Sequence, residues 1–170
     1  EVVSLDNSGN RDPSPASFTW TVDTEPPDTI IDSAIDGNNR TLTDGSNTES
    51  ISIAFTFSGT DTSIEEGEEV GIDHFECSVD GSSFSACTSP AQFDNLGSGV
   101  HTVDIRAIDS VGNQGVSPAP FRWNVDATPP DTTIDSATDG NNNSVNNGGN
   151  SSSTSMTFTF SGSDIGVGLD

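Results

Sequence analysis

One long segment of this chain occurs twice, 103 residues apart, and this repetition constrains the fold more than any other feature. Residues 20–61 and 123–164 align without a gap and share 25 identical residues in 42 positions. A period of this length is typical of whole domains arranged in tandem. We therefore expect the C-terminal part of one repeat in residues 1–23, a complete repeat in residues 24–126 and the N-terminal part of the next in residues 127–170.

Apolar and polar residues alternate through the complete repeat in short runs. In the clearest run, Ile51, Ile53, Phe55 and Phe57 are separated by Ser, Ala and Thr, and this period of two predicts a half-buried strand. Similar runs bring the count to about seven strands, near residues 29–32, 75–79, 84, 91–93, 103–107 and 121–125. No segment has the period of a helix. The predicted fold class is all-β, with immunoglobulin-like β-sandwich repeats in tandem.

The net charge of −23 excludes some classes of partner. Acidic residues number 27 against four arginines, with no lysine. A phosphate backbone would be repelled, so we expect no nucleic-acid partner. Apolar residues make up only 29 % of the chain, which limits the core to thin layers of short strands. No run of about 18 apolar residues occurs, so we also expect no membrane-spanning segment.

Paired prolines follow the last predicted strand of each repeat. The sequence Val-Asp-x-x-Pro-Pro-Asp at residues 125–131 restricts the backbone to extended conformations, which predicts a semi-rigid connection between successive units. Residues 139–153 are rich in Gly, Asn and Ser, like a flexible linker. Their counterpart, residues 36–50, lies between predicted strands of one unit, so we expect a long surface loop instead.

Cys77 and Cys87 flank a turn at residues 80–83 and are equidistant from residue 82. This spacing places them across two antiparallel strands and favours a disulfide, which would stabilise the fold by about 2–3 kcal/mol. The alternatives are two buried free thiols or a metal site. A disulfide predicts an oxidising compartment and hence an extracellular location.

Residues 75–90 and 100–132 resemble the Ig-like repeats of large bacterial and archaeal surface proteins and adhesins, and the resemblance extends over the whole chain. Its most specific features are the paired cysteines around an Asp-Gly turn, Asp-x-x-Gly-Asn at residues 109–113 and Trp-x-Val-Asp-x-x-Pro-Pro at residues 123–130. The resemblance implies a long extracellular stalk or fibre of stacked sandwiches, with Ca²⁺ at domain junctions in some members. It implies no particular ligand, because one fold hosts many functions.

Carboxylate and amide side chains occur where a sandwich would bring its turns together at the two ends. Oxygen ligands on turns suit Ca²⁺, and turns of adjacent units could share one ion where their ends meet. The candidate ligands are Asp61, Asp109, Asn113, Asp126, Asp131 and Asp164. The alternative is that these residues only form turns, through hydrogen bonds to their own backbone. No continuous loop of the EF-hand type is present.

Three Asn-x-Ser/Thr sequons offer acceptors for N-linked glycans, at Asn39, Asn142 and Asn150. The first two occupy the same position of the repeat. The residues after them change from Arg-Thr to Asn-Ser, yet the acceptor pattern is kept. We therefore expect glycosylation of this loop where the cell has the machinery. The competing interpretation is that an Asn- and Ser-rich stretch contains sequons by chance.

These features favour a structural repeat module of an extracellular surface protein that forms a stalk or filament. Its partners would be neighbouring repeats of the same chain or identical subunits in a fibre. The alternative is an adhesin module that binds a glycan or protein on other cells or surfaces through the acidic insertion at residues 65–70. A third hypothesis is an accessory module of a secreted enzyme. No nucleophile and base occur at a catalytic spacing, so we expect no enzymatic activity in these residues and no cofactor besides Ca²⁺.

Overall fold

A computed structural model describes residues 2–20, 22–61, 71–116 and 120–166. Within these ranges, the period-two runs of the sequence form strands between residues 28 and 163. Eleven strands and no helix occur in these residues, so the all-β prediction is confirmed. In chain order the strands are β1 (Asp28–Asp36), β2 (Thr41–Leu42), β3 (Ser46–Thr48), β4 (Ile53–Thr60), β5 (Ile72–Val79), β6 (Ser85–Cys87), β7 (Ala91–Phe93), β8 (Gly99–Asp109), β9 (Phe121–Val125), β10 (Asp131–Asp139) and β11 (Met156–Ser163). Across these ranges, no helix is long and apolar enough to cross a membrane.

Strands β1 to β9 form two sheets, an arrangement consistent with a β-sandwich. One sheet has the order β2-β1-β4-β7, and the other has the order β3-β9-β8-β5-β6. The pair β3 and β9 is parallel, and the other neighbouring strands of these sheets are antiparallel. The predicted insertion loop at residues 65–70 lies outside the described residues.

The apolar core lies between these two sheets. Phe55 of β4 and Trp123 of β9 are 0 % and 1 % exposed, and their ring centroids lie 5.5 Å apart. Phe121 approaches the Phe55 ring edge-on, with 5.2 Å between centroids. Aromatic side chains bury more apolar area than any others, so a few of them supply much of the hydrophobic stabilisation of a thin core.

Strands β10 and β11 repeat the ladder formed by β1 and β4. Asp28 pairs with Thr60 at the start of one ladder, and Asp131 pairs with Ser163, 103 residues later, at the start of the other. Both ladders also shift register at the equivalent position. The segment repeated in the sequence therefore forms the same pair of strands twice.

The aromatic residues of β11 are exposed, unlike their counterparts in β4. Phe158 and Phe160 are 53 % and 73 % exposed, whereas Phe55 and Phe57 are buried. In the part of the chain that the structure describes, no further strand is paired with the β10–β11 ribbon. Burial of these aromatic residues in β4 therefore comes from the opposing sheet and not from the ribbon itself.

Residues 36–50 form a loop that contains two short strands, as expected for a surface loop within one unit. Strand β2 pairs with β1, and β3 pairs with β9. The strand predicted to include Ile51 begins later than expected, because β4 starts at Ile53 and Ile51 lies outside it, 47 % exposed. The β1–β4 ladder stops at the pair Asp36 and Ile53, where the N–H of the next residue, Gly37, donates to Ser50 Oγ at 3.0 Å.

Cys77 and Cys87 form the predicted disulfide, with their Cα atoms 5.8 Å apart. They are not directly opposite each other, however, because Cys77 pairs with Ser85. The tight turn lies at Asp80 and Gly81, which have φ values of 51° and 71°, so the hairpin is centred earlier than residue 82. The disulfide therefore joins diagonal positions of the hairpin. A bond of this kind is typical of oxidising compartments.

Reduction of the disulfide should lower the free energy of unfolding by about 2–3 kcal/mol, because the bond restricts the unfolded chain. Urea unfolding with and without a thiol reductant measures this change. The matched control is Cys77→Ala/Cys87→Ala, whose urea midpoint should not respond to the reductant. Equal midpoints for the oxidised and reduced native chain would contradict the prediction.

Candidate metal centre

A buried carboxylate organises the turn after β8. Asp109 is 2 % exposed, and its Oδ1 accepts the N–H groups of Val111, Gly112 and Asn113 at 2.9, 2.7 and 2.8 Å. Asn113 Nδ2 donates to the other carboxylate oxygen at 2.8 Å. Burial alone would raise the pKa of Asp109, but the hydrogen bonds, led by those from Asn113, hold this pKa below its ordinary value. The Asp-x-x-Gly-Asn pattern therefore keeps a charged carboxylate at this end of the sandwich.

Two further carboxylates converge on Asp109. Asp61 directly follows β4, and Asp23 lies in the segment that leads into β1. One oxygen from each of the three side chains lies within 4.8 Å of the other two. Asp109 is buried, and Asp23 and Asp61 are half-buried. The cluster thus combines a residue before the first strand with two residues at strand ends.

Main-chain contacts fix the segment that carries Asp23. Asn113 Nδ2 donates to the carbonyl oxygen of Asp23 at 3.1 Å. Further along, Pro27 is fully buried. Its carbonyl oxygen passes so close to Gly115 that a Cβ at that glycine would lie 2.3 Å away. Only a glycine allows this approach. Because Asn113 belongs to the turn that Asp109 organises and also contacts Asp23, the position of Asp23 depends on that turn.

The arrangement fits a divalent cation. Asp23 Oδ1 accepts the N–H of Glu25 at 3.0 Å, but Asp23 Oδ2 is buried and has no hydrogen-bond partner among the described residues. A buried charged oxygen without a partner is costly, and three carboxylates at this spacing repel one another. A bound cation removes both costs. Carboxylate oxygens suit Ca²⁺, and the cluster contains none of the Cys or His ligands that favour Zn²⁺.

The structure brings together two of the predicted ligands, Asp61 and Asp109, and adds Asp23, which was not among them. Asn113 lies beside the cluster, where its Nδ2 donates to Asp109 and to the Asp23 main chain. The sequence did contain a signal for Asp23, because it lies 103 residues before the predicted ligand Asp126.

The predicted ligands Asp126 and Asp164 occupy the positions equivalent to Asp23 and Asp61. The turn after β11 approaches Asp126 so closely that a Cβ at Gly166 would lie 1.7 Å from the Asp126 Oδ2 atom. Asp126 therefore lies close to the turn that follows β11 and Asp164. Asp131, at the start of β10, is exposed and is not part of the three-carboxylate cluster.

Turn formation, the alternative interpretation of the acidic residues, accounts for Asp36 and Asp139. Each ends a strand and accepts, at 2.9 Å, the N–H groups of the residues two and four positions later. Burial alone would raise the pKa of Asp36, but hydrogen bonds from Thr48 and Arg40 lower it overall. Hydrogen bonds from the main chain and side chain of Asn143 are the main cause that lowers the pKa of Asp139 to about 2.

The three predicted glycan acceptors, Asn39, Asn142 and Asn150, are all exposed. Asn39 and Asn142 lie at equivalent turns with φ values of 61° and 62°. Each turn is the one that Asp36 or Asp139 organises, so these two acceptors are presented at its tip.

No protein-family model matches this sequence, and a search of curated proteins also gives no match. The function is therefore inferred from the repetition, the contacts and the chemistry of the residues themselves.

Stability should fall as the pH is lowered through the pKa values of the turn carboxylates. The folded-state pKa values of Asp36, Asp109 and Asp139 lie below the ordinary value, which is about 3.9 in an unfolded chain. Their charged forms therefore stabilise the fold above that ordinary pKa, and this contribution is lost as the pH falls through the lowered pKa values, of which that of Asp139 is about 2. We expect the urea midpoint to decrease over this range, and Asp36→Asn to make the decrease shallower.

The control for this measurement is Asp94→Asn, which removes an exposed carboxylate that accepts a hydrogen bond from Gln92 Nε2. It should leave the pH profile unchanged. EDTA in all samples separates the effect from cation binding. An identical profile for Asp36→Asn and the native chain would contradict the assigned role of Asp36.

Proposed function

We propose that this chain is a structural repeat module of an extracellular surface protein, in which immunoglobulin-like units are joined end to end into a stalk or filament. The observation that carries the proposal is the return of the β1–β4 ladder as the β10–β11 ladder, 103 residues later. Only residues 126–130 separate β9 from β10. A chain that repeats one unit through short connections gains length while each unit contacts only its neighbours.

The strand order supports the immunoglobulin-like part of this proposal. Strands β1, β4 and β7 lie in one sheet, and β5, β8 and β9 lie in that order in the other. Immunoglobulin-like sandwiches divide their strands between two sheets in this way. The disulfide supports export from the cytoplasm, because such bonds persist in oxidising environments.

We infer that Ca²⁺ bound by Asp23, Asp61 and Asp109 stiffens the connection that leads into the unit. Asp23 lies on the connecting segment, whereas Asp61 and Asp109 lie on turns of the unit that follows. One ion would therefore hold the connection and the unit together. Asp126 and Asp164 occupy the same two positions at the next connection, so the proposed site recurs with the repeat.

Stiffness matters because a stalk sets a distance only if its connections resist bending. Prolines restrict the connecting segment, and the burial of Pro27 against Gly115 fixes its end. The carboxylates work against this order while they repel one another, and a cation reverses that contribution. The expected role of Ca²⁺ is therefore mechanical.

Calcium titration tests the proposed ion site. After treatment with EDTA, we expect added Ca²⁺ to raise the melting temperature, since a ligand that binds only the folded state stabilises it. Asp23→Asn should weaken binding by about tenfold or more, because changes even to outer-shell partners of a metal cost about 10–100-fold. Isothermal titration calorimetry measures the affinity.

The matched control is again Asp94→Asn, which removes one negative charge without touching the cluster and should bind Ca²⁺ like the native chain. Weakening of equal size in both variants would mean that overall charge, and not this cluster, attracts the ion. Absence of any binding heat and of any shift in melting temperature would overturn the proposed site.

Electron microscopy of the native protein tests the stalk itself. We expect rods or fibres in Ca²⁺ and more strongly bent particles in EDTA, because loss of the ion frees the connections. Short, irregular particles under both conditions would contradict the structural role. Rods that stay equally straight in EDTA would overturn the mechanical role of Ca²⁺ and leave the stalk in place.

A further inference from the structure

The turn after β1 and the turn after β10 present the same chemical group to solvent. Asn39 and Asn142 are exposed, and each main-chain N–H donates to the carbonyl oxygen of the strand-ending aspartate at 2.9 Å. This hydrogen bond uses only the main chain of Asn39 or Asn142. The side-chain amide is therefore left at the tip of the turn.

The residue between the acceptor and the hydroxyl is used in folding. Arg40 Nε donates to Asp36 Oδ2 at 3.0 Å, and Asn143 Nδ2 donates to both oxygens of Asp139 at 3.3 and 3.2 Å. These two side chains differ, yet each is tied to the aspartate that organises its turn. The middle position of the sequon thus has a structural role that explains its residue.

The hydroxyl position of each sequon has no such role. The structure gives no side-chain hydrogen bond, within the residues it describes, to the amides of Asn39 and Asn142 or to the hydroxyls of Thr41 and Ser144. The positive φ at the first position favours Asn or Gly, but the turn requires no hydroxyl two residues later. Glycan transfer requires both groups.

We propose that Asn39 and Asn142 are acceptors for an N-linked oligosaccharide. The donor is a sugar bound through its anomeric carbon to a lipid phosphate. The Nδ2 atom of Asn39 or Asn142 forms a bond to that carbon and loses one proton to a base of the transferring enzyme. The bond from carbon to phosphate oxygen breaks, and the lipid phosphate leaves with its electron pair. The proposal rests on the extracellular placement in the proposed function.

Asn150 is not proposed as an acceptor, because the equivalent asparagine of the complete sandwich forms a hydrogen bond between strands. Its counterpart 103 residues earlier is Asn47 in β3, whose Oδ1 accepts a hydrogen bond from Asn124 Nδ2 at 3.3 Å. Glu49 follows two positions later, so that position is not a sequon. An asparagine is therefore explained there by pairing with β9, without a glycan.

The acceptor turn stands beside the connection between units. Gly37 and Asn38, which precede Asn39, line the same cleft as residues 126–130. A glycan on Asn39 consequently lies next to the connecting segment.

Peptide mass mapping of the protein purified from its own cells, digested without reductant, tests the proposal. We expect the peptides with Asn39 and Asn142 to carry a glycan mass, the peptide with Asn150 to be unmodified, and Cys77 and Cys87 to be linked. Unmodified Asn39 and Asn142 with linked cysteines would overturn glycosylation and leave the extracellular placement intact. Reduced cysteines would overturn that placement and this proposal with it.

Two variants made in the same cells separate the sequon from general accessibility. Thr41→Ala should abolish the modification at Asn39 and leave Asn142 modified as an internal control. Thr41→Ser should keep both. Modification of Asn39 in the Thr41→Ala protein, or modification of Asn150 to the same extent as Asn142, would overturn the assignment.

Discussion

The hydrogen-bonded aspartate at the end of a strand is the interaction on which the rest of this structure depends. Asp109 ends β8 and Asp36 ends β1, and each accepts N–H groups of the turn that follows. Those N–H groups would otherwise lack partners where the ladders stop. The main-chain donors also stabilise a carboxylate that is almost fully buried. A thin core can therefore end its strands in tight turns at both ends of the sandwich.

This interaction explains part of the acidic composition. Part of the charge of −23 belongs to carboxylates that the fold needs in their charged form. At the end of the sandwich near Asp109, the turn leaves two other carboxylates, Asp23 and Asp61, close to the first. Hydrogen bonds compensate Asp109, but Asp23 Oδ2 is buried without a donor among the described residues. The unfavourable electrostatic energy at this end of the sandwich is therefore concentrated at a cluster of oxygens that could hold one cation.

Local patterns allowed the strands to be predicted, whereas the contacts between distant segments could be predicted only in part. Residues 53–57 and 121–125 alternate because one face of each strand meets the core, and that pattern is visible in any short window. The pairing of Cys77 with Cys87 followed from their spacing, but its register depended on the φ values at the turn. Asp23 was missed although its repeat counterpart Asp126 was a predicted ligand, because its proximity to Asp61 and Asp109 is set by the packing of the segment before β1.

In the proposed stalk, repetition would give the acidic cluster a mechanical role. Asp23 follows the Trp-x-Val pattern that ends a repeat, whereas Asp61 and Asp109 belong to the unit that comes next. In the proposed stalk, an ion held by these residues ties the connection to the unit that follows, so its removal would loosen the connection. Elsewhere along the chain the excess negative charge repels itself and favours an extended shape. In the proposed stalk, repulsion between units and neutralisation at their connections would thus act in the same direction, towards a straighter array.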